Sequence, residues 1–251
     1  MSTSPNGLLT VALAAAALLT VSLVVGRWAG LGQTRAMATA AVRAVVQLSA
    51  VALVIRLVFD TPALAPIYLT VMVSAAVATS VGRLRTVPRA VALRAAGTAV
   101  VTGATVSTLV ILASGALPLS SRTAVPMAAQ LIGGAMTATT LAGRRMVDDV
   151  VDGWAGVEGW LALGATPSQA VAAQGRRAAA RAGEPNLDQT RNVGLVVLPG
   201  SFVGLLLGGA SPAQAAATQL LVLLGLMAAQ TVAAVLVTRL LAGELGRRRP
   251  G

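Results

Sequence analysis

The residues able to do chemistry in this chain are few, and several of the usual ones are missing. Among its 251 residues there is no Cys, no His and no Lys. That excludes thiolate nucleophiles and Cys-ligated metals. It also removes the commonest general base and nitrogen ligand and forbids the phosphate-binding G-x-x-x-x-G-K-[ST] loop. Of the eight carboxylates, Asp148, Asp149, Asp152, Glu158, Glu184 and Asp188 crowd into one polar interval, 144–191, and every Asp lies in a loop or at the end of an apolar run. No Ser-His pair and no buried Asp pair can be assembled, so no catalytic residue is assigned. No cofactor is expected in this chain, and its metal ligands are unknown. If ATP drives the protein, ATP and Mg are held by a partner polypeptide.

What remains is a mechanical possibility. Glu158 and Gly164 are six apart, followed by Ala165, Thr166 and Pro167. A short helix should end at Gly164, because glycine takes the left-handed position beyond a helix end without steric cost. A second should open at Pro167 with Thr166 as its cap. Such an elbow is either an ordinary connector or a handle on which an external motor pushes.

The elements around it are membrane helices. The chain is 56% apolar and only 11% charged, with mean hydropathy +0.80. Long uncharged runs of about 20 residues are the signature of membrane spans. Seven are expected, at 7–26, 38–59, 64–82, 95–113, 124–143, 192–210 and 213–241, in one all-α transmembrane domain covering 1–251. The interval 144–191 is then a cytoplasmic loop, whose mixed charge and Ala-rich 170–182 suggest helices with a docking surface, the alternative being a solvated linker. The net charge of +11 would point to nucleic acid in a soluble protein, but only one Tyr and two Phe are present for stacking. Of the 19 arginines, all but Arg56 and Arg122 fall at ends that a single orientation makes cytoplasmic, with the N-terminus outside and the C-terminus inside. All-arginine usage with abundant Ala and Val points to a GC-rich bacterial genome, and the expected location is the bacterial cytoplasmic (inner) membrane. The partner surfaces are therefore the lipid bilayer and other proteins, not nucleic acid.

Within the spans, several polar or conformationally special residues are candidates for a substrate path. Arg43 and Gln47, four apart, share one helix face. Gly133 lies in a small-residue row with Ala129 and Thr137 that lets another backbone approach, and Met136 offers a thioether near it. Pro199-Gly200 interrupts 192–210 and should break that helix. Gly200, Gly204 and Gly208 repeat every four residues, and Gln219 and Gln230 share a face of the last span. Arg56 and Asp60 form an outer ion pair of little weight.

Several stretches together resemble the FetB family of iron-export ABC permeases. They are VRAVVQL (42–48), GGAM (133–136), LALGATPSQA (161–170), PNLD (185–188), VGLVVLPG (193–200) and GGASPAQA (208–215). The resemblance covers about 38–240, in family order. It implies a coupling loop, with Glu158, Gly164, Ala165, Thr166 and Pro167 contacting an ABC ATPase subunit. It also implies export of iron or another metal. With one elbow per chain, two copies should pair around two ATPases. Ser201 and Phe202 stand where the family often has Met-Met, and Gly134 where relatives can carry Asn. Iron would meet only carbonyls, hydroxyls, amides and the thioethers of Met127, Met136 or Met227. A non-transporting membrane scaffold and an ion-coupled secondary transporter are the alternatives, the latter weakened by the lack of carboxylates within spans.

Overall fold

A computed structural model describes residues 5–118 and 120–247. Among these there is no strand, only an isolated bridge between Val193 and Val197. The helices are α1 (Pro5–Trp28), α2 (Thr34–Asp60), α3 (Ala65–Arg83), α4 (Arg89–Ala113), α5 (Ser121–Asp152), α6 (Trp154–Ala162), α7 (Pro167–Ala170), α8 (Ala172–Asn192), α9 (Gly200–Leu207) and α10 (Pro212–Leu245).

The chain divides into two units, Met1–Thr61 and Pro62–Gly251. In the first, α1 packs on α2, and nearly all of their described side chains are exposed. Arg56 and Asp60 approach to 3.9 Å as an exposed i,i+4 pair, a geometry worth little in water.

The second unit is built around α10. An apolar helix immersed in lipid gains nothing by hiding more apolar surface, so its helices associate where small side chains let backbones come close. Alanine and glycine supply that here. Ala95, Ala96, Ala99, Gly103 and Ala104 of α4 are buried, as are Ala128, Ala135, Ala138, Ala142 and Gly143 of α5 and Ala229, Ala233 and Ala234 of α10. A Cβ on Gly103 would lie 2.6 Å from the Ala229 carbonyl oxygen. Gly225 faces Ile111 and Leu131, Gly134 faces Leu226 and Gln230, and Gly143 faces Leu84 and Leu241. These contacts make α5 parallel to α10 and α4 antiparallel to both. The arginines of the α3–α4 turn, Arg144, Arg145 and Arg239 therefore collect at one end of the bundle. The α4–α5 turn and Ser211 lie at the other.

Five of the described helices are long and apolar enough to cross a membrane: α1, α2, α3 with the 3-10 turn that leads into it, α4 and α10. The protein is an all-helical membrane protein. Helix α5 covers the expected 124–143 but is diluted by Gln130, Thr137, Thr139 and Thr140, and it runs on to Asp152.

Three expectations are corrected. The close-packing face of α5 is not Ala129, Gly133 and Thr137: a methyl group added to Gly133 would find nothing within 4 Å, Thr137 is exposed, and the neighbouring Gly134 makes the approach. One residue is about 100° of helix rotation, enough to change which neighbour is met. The glycines at 200, 204 and 208 form no interhelical seam either, since the first two face open space and Gly208 meets only carbonyls of its own helix. Finally, 192–210 breaks before Gly200 as expected, but what is left of it is not a helix of membrane length. It holds only α9, whose 8 residues extend about 12 Å at about 1.5 Å each, well short of a bilayer core. Pro199 has no amide hydrogen to donate, and Gly194 at φ +82° turns the chain out of the helical path.

Candidate functional site

The elbow forms as its residues dictate. At the end of α6, Gly164 sits at φ +89°, and the Gly164 and Ala165 amides donate to the Leu161 and Trp160 carbonyls, both at 3.0 Å. This is the Schellman closure that a left-handed glycine permits. Thr166 then caps α7 in a reciprocal capping box with Gln169, and Pro167 occupies the first turn, where its missing amide costs nothing. Only Val171 separates α7 from α8, so the elbow and α8 follow one another without a flexible linker.

One side of the elbow is anchored and the other is bare. Val157, Ala170 and Val171 are buried. The Pro167 carbonyl lies so close to Gly246, one residue past α10, that any Cβ there would overlap it. Ser168 approaches Gly243 of α10. On the outer side, Trp160 and Leu163 are 61% and 82% exposed, and Glu158 is exposed beside them. Trp160, Leu163, Gln169, Arg176 and Arg177 line an open groove of about 780 Å³. A wide aromatic and an aliphatic side chain, held on a rigid turn beside two arginines, form a surface suited to a protein partner.

The second site is the break between α8 and α9. After Asn192 the chain makes a tight turn in which the Gly194 amide donates to the Val197 carbonyl at 2.9 Å. Pro199 is buried and begins α9 from the N-cap position, with Gly200 as its first residue. The Ser201 hydroxyl donates to the buried Gln219 Oε1 at 2.5 Å, tying α9 to α10. Pro199, Phe202, Gln219 and Leu223 help line a cavity of about 300 Å³. The structure thus brings Pro199, Gly200 and Gln219 to one place. Gly133 faces open space on α5, and Met136 is partly buried against the core. Arg43 and Gln47 belong to the first unit on α2, where both are exposed. Removing the hydroxyl by Ser201→Ala leaves the Gln219 oxygen without its donor, at a cost of about 1–3 kcal/mol. The expected result is a lower melting temperature in detergent, and Gln219→Leu in the same background should restore part of it.

The course of α8 was not legible in the sequence. Ala172, Gly175 and Ala179 share a cleft with Val235, Thr238, Arg239 and Ala242 of α10, and Val193 shares the other cavity with Leu220 and Leu223. Helix α8, expected as part of a helical docking surface, therefore runs antiparallel along α10. Of its buried residues, Gln174, Ala178, Ala182 and Asn186 recur every four positions, with Gly175 beside them. The available signal was the small residues Gly175, Ala178 and Ala182, set in a charge-rich interval. Arg181 pairs with Asp149 of α5 at 3.4 Å, and Arg145 donates to the Arg181 carbonyl.

The elbow has a counterpart. Gly209 sits at φ +90°, the Gly209 and Ala210 amides close back on Leu206 and Leu205, and Ser211 and Gln214 form the same capping box ahead of α10. GATPSQA (164–170) and GASPAQA (209–215) are one local structure used at opposite ends of α10. Only the first carries an exposed Trp and Leu on an anchored turn.

Apolar helices packed through small residues, with capped elbows between them, define a multi-pass membrane protein. The chain belongs to UPF0014, described as an uncharacterised protein family, whose model matches residues 9–245. It is 36% identical over 229 residues to the UPF0014 membrane protein STAR2 of Oryza sativa subsp. japonica, covering 90% of this chain and 80% of that one. It is 35% identical over 200 residues to the protein ALUMINUM SENSITIVE 3 of Arabidopsis thaliana, covering 79% and 72%. Over 138 residues, 55% of this chain and 53% of the relative, it is 30% identical to the probable iron export permease protein FetB of Escherichia coli strain K12. No solved structure matches the chain.

Proposed function

We propose that this chain is the membrane subunit of an ABC-type transporter that exports a metal ion, iron or a related one, across a bacterial cytoplasmic membrane. The observation that carries the reading is the elbow: a rigid turn, seated on the end of α10, with Trp160, Leu163 and Glu158 presented outward and α8 attached directly behind it. A separate ATPase subunit, holding ATP and Mg, docks in the groove beside Trp160. Its closure displaces α6 and α7, and the displacement passes to α8. Because each chain has one such elbow, two copies work around two ATPases. Seven passages, N-terminus outside and C-terminus in the cytoplasm, fit the arginine-rich end as the cytoplasmic one. The sixth is a composite of α8, the turn at 193–199 and α9. The E. coli relative's name supports iron export by a permease, and the Arabidopsis relative's name refers to aluminium, another metal.

The test is co-purification with a candidate ATPase, then ATP hydrolysis in liposomes with ferrous and ferric iron and aluminium added. Glu158→Arg leaves the fold intact, because the side chain is exposed, and is expected to cut metal-stimulated hydrolysis about tenfold or more. Stimulation unaffected by Glu158→Arg removes the elbow as the docking site. A chain that binds no ATPase ends the permease reading.

A further inference from the structure

We infer that the charged face of α8 lines a water-filled path through the bilayer, and that the solute using this path is polar and charged. The inference rests on the transport reading and assigns its pathway.

Depth comes first. Between Pro212 and Arg239, α10 has 26 consecutive uncharged residues, 213–238. A bilayer core takes about 20 of them. Wherever those 20 begin, positions of about 219–232 lie in hydrocarbon. Ala179 of α8 shares a cleft with Val235, and Val193 shares a cavity with Leu220 and Leu223. Running antiparallel between those two points, residues 184–191 of α8 lie level with that inescapable stretch. Glu184, Asp188 and Arg191 are therefore at membrane depth.

Orientation comes second. Arg177, Arg181, Glu184, Asp188 and Arg191 are spaced four, three, four and three apart, which puts them in one stripe along the helix. All five are exposed. The packed face, Gln174, Ala178, Ala182 and Asn186, is a different one. Arg191 and Asp188 pair at 3.6 Å, with side chains 73% and 68% exposed. Arg181, at the shallow end of the stripe, pairs instead with Asp149 of α5 at 3.4 Å. An i,i+3 pair in that setting does not neutralise the deeper part of the stripe, and Glu184 stands outside both pairs.

Energetics then decides what the stripe faces. A charged side chain in hydrocarbon costs about 2.5–3.5 kcal/mol even on the mildest insertion scale, and the stripe carries three at unavoidable depth. Lipid is thus the one surrounding it cannot have. Irregular backbone at membrane depth is tolerated against protein or a water-filled cavity, and the turn at 193–199 immediately follows the stripe.

The chain contains no cysteine, so single cysteines can be introduced without background. The probe is a membrane-impermeant, positively charged methanethiosulfonate reagent, applied to closed vesicles with the elbow outward and the ATPase present. Leu187→Cys, beside the stripe, and Asp188→Cys, on it, are compared with Leu224→Cys, an exposed α10 position at similar depth. Thr86→Cys, exposed in the α3–α4 turn at the same end of the bundle, sets the solvent-exposed rate. Positions 187 and 188 are expected to label within about tenfold of 86, and 224 at least about a hundredfold more slowly. Because the reagent is a charged solute, its arrival reports the path as well as the water. Labelling at 187 and 188 as slow as at 224 overturns the inference. Leu187→Cys removes no charge, so a folding failure of Asp188→Cys leaves the test intact. Co-purification with the ATPase is read separately: labelled α8 without a bound ATPase keeps the aqueous path and ends the ABC assignment, while the reverse keeps the ABC assignment and removes α8 from the path.

Discussion

The Gly246→Val substitution is expected to leave the helical bundle folded and to cut coupled transport by roughly 5- to 150-fold. Gly246 lies one residue beyond α10 with ordinary right-handed backbone angles, so valine brings no backbone strain of its own. Its Cβ, however, would occupy the position of the Pro167 carbonyl. One of the two must move, and α10 is held by α4, α5 and α8 along its length. The elbow is held mainly by Val157, Ala170 and Val171 and moves more easily. Overpacking of this kind costs about 1–3 kcal/mol, which corresponds to a shift of roughly 5- to 150-fold in how often the elbow is seated. Amide hydrogen exchange should accelerate in 154–171 and remain slow in the middle of α4 and α10. Transport in liposomes should fall by a comparable factor, with ATPase binding retained through Trp160 and Leu163. Normal transport in Gly246→Val would show that the seat on α10 carries no force.

The second large effect is at Gly103. Here α4 and α10 come so close that a methyl group would meet the Ala229 backbone oxygen at 2.6 Å and the Ala233 Cβ at 3.2 Å. Backbone cannot step aside as a side chain can, so Gly103→Ala forces the two central helices apart over several turns. A cost of about 1–3 kcal/mol is expected, equivalent to a fall of roughly 2–12 °C in melting temperature for a protein of this size. Gly103→Leu should not be recovered as a monodisperse protein. Gly97→Ala, on the same helix, is the control: its nearest neighbour is a Val77 methyl at 3.9 Å, an ordinary contact. Its effect should stay within about 0.5 kcal/mol. Equal stability of the two alanine variants in a detergent melt would refute the close-packed seam.

Much of the helical architecture was legible in the sequence because its causes are local. An uncharged run of about 20 residues has few alternatives to a membrane helix, and five such helices are present among the described residues. Gly164, Thr166 and Pro167 specify their elbow through backbone sterics, one capping hydroxyl and one missing amide, none of which needs a distant partner. The same holds at Gly209, Ser211 and Pro212. Local causes also explain the limit, since two nearly identical heptapeptides produce two nearly identical turns. Nothing within either stretch says that one is clamped against Gly246 beneath an exposed Trp160 and the other opens α10 at the far end.

Only the tertiary structure decided what depended on neighbours. Whether Gly133 or Gly134 meets another helix turns on about 100° of rotation, set by how α5 sits against Leu226 and Gln230. The break at Pro199-Gly200 was legible, but the earlier turn at Gly194 and the seating of α9 on α10 through Ser201 and Gln219 were not. Above all, α8 carries enough charge to pass for a helix lying in the cytoplasm, because composition averages its faces together. Its buried row of Gln174, Ala178, Ala182 and Asn186 acquires meaning only when α10 lies alongside, for a small side chain marks a packing face only where another backbone is there to approach it.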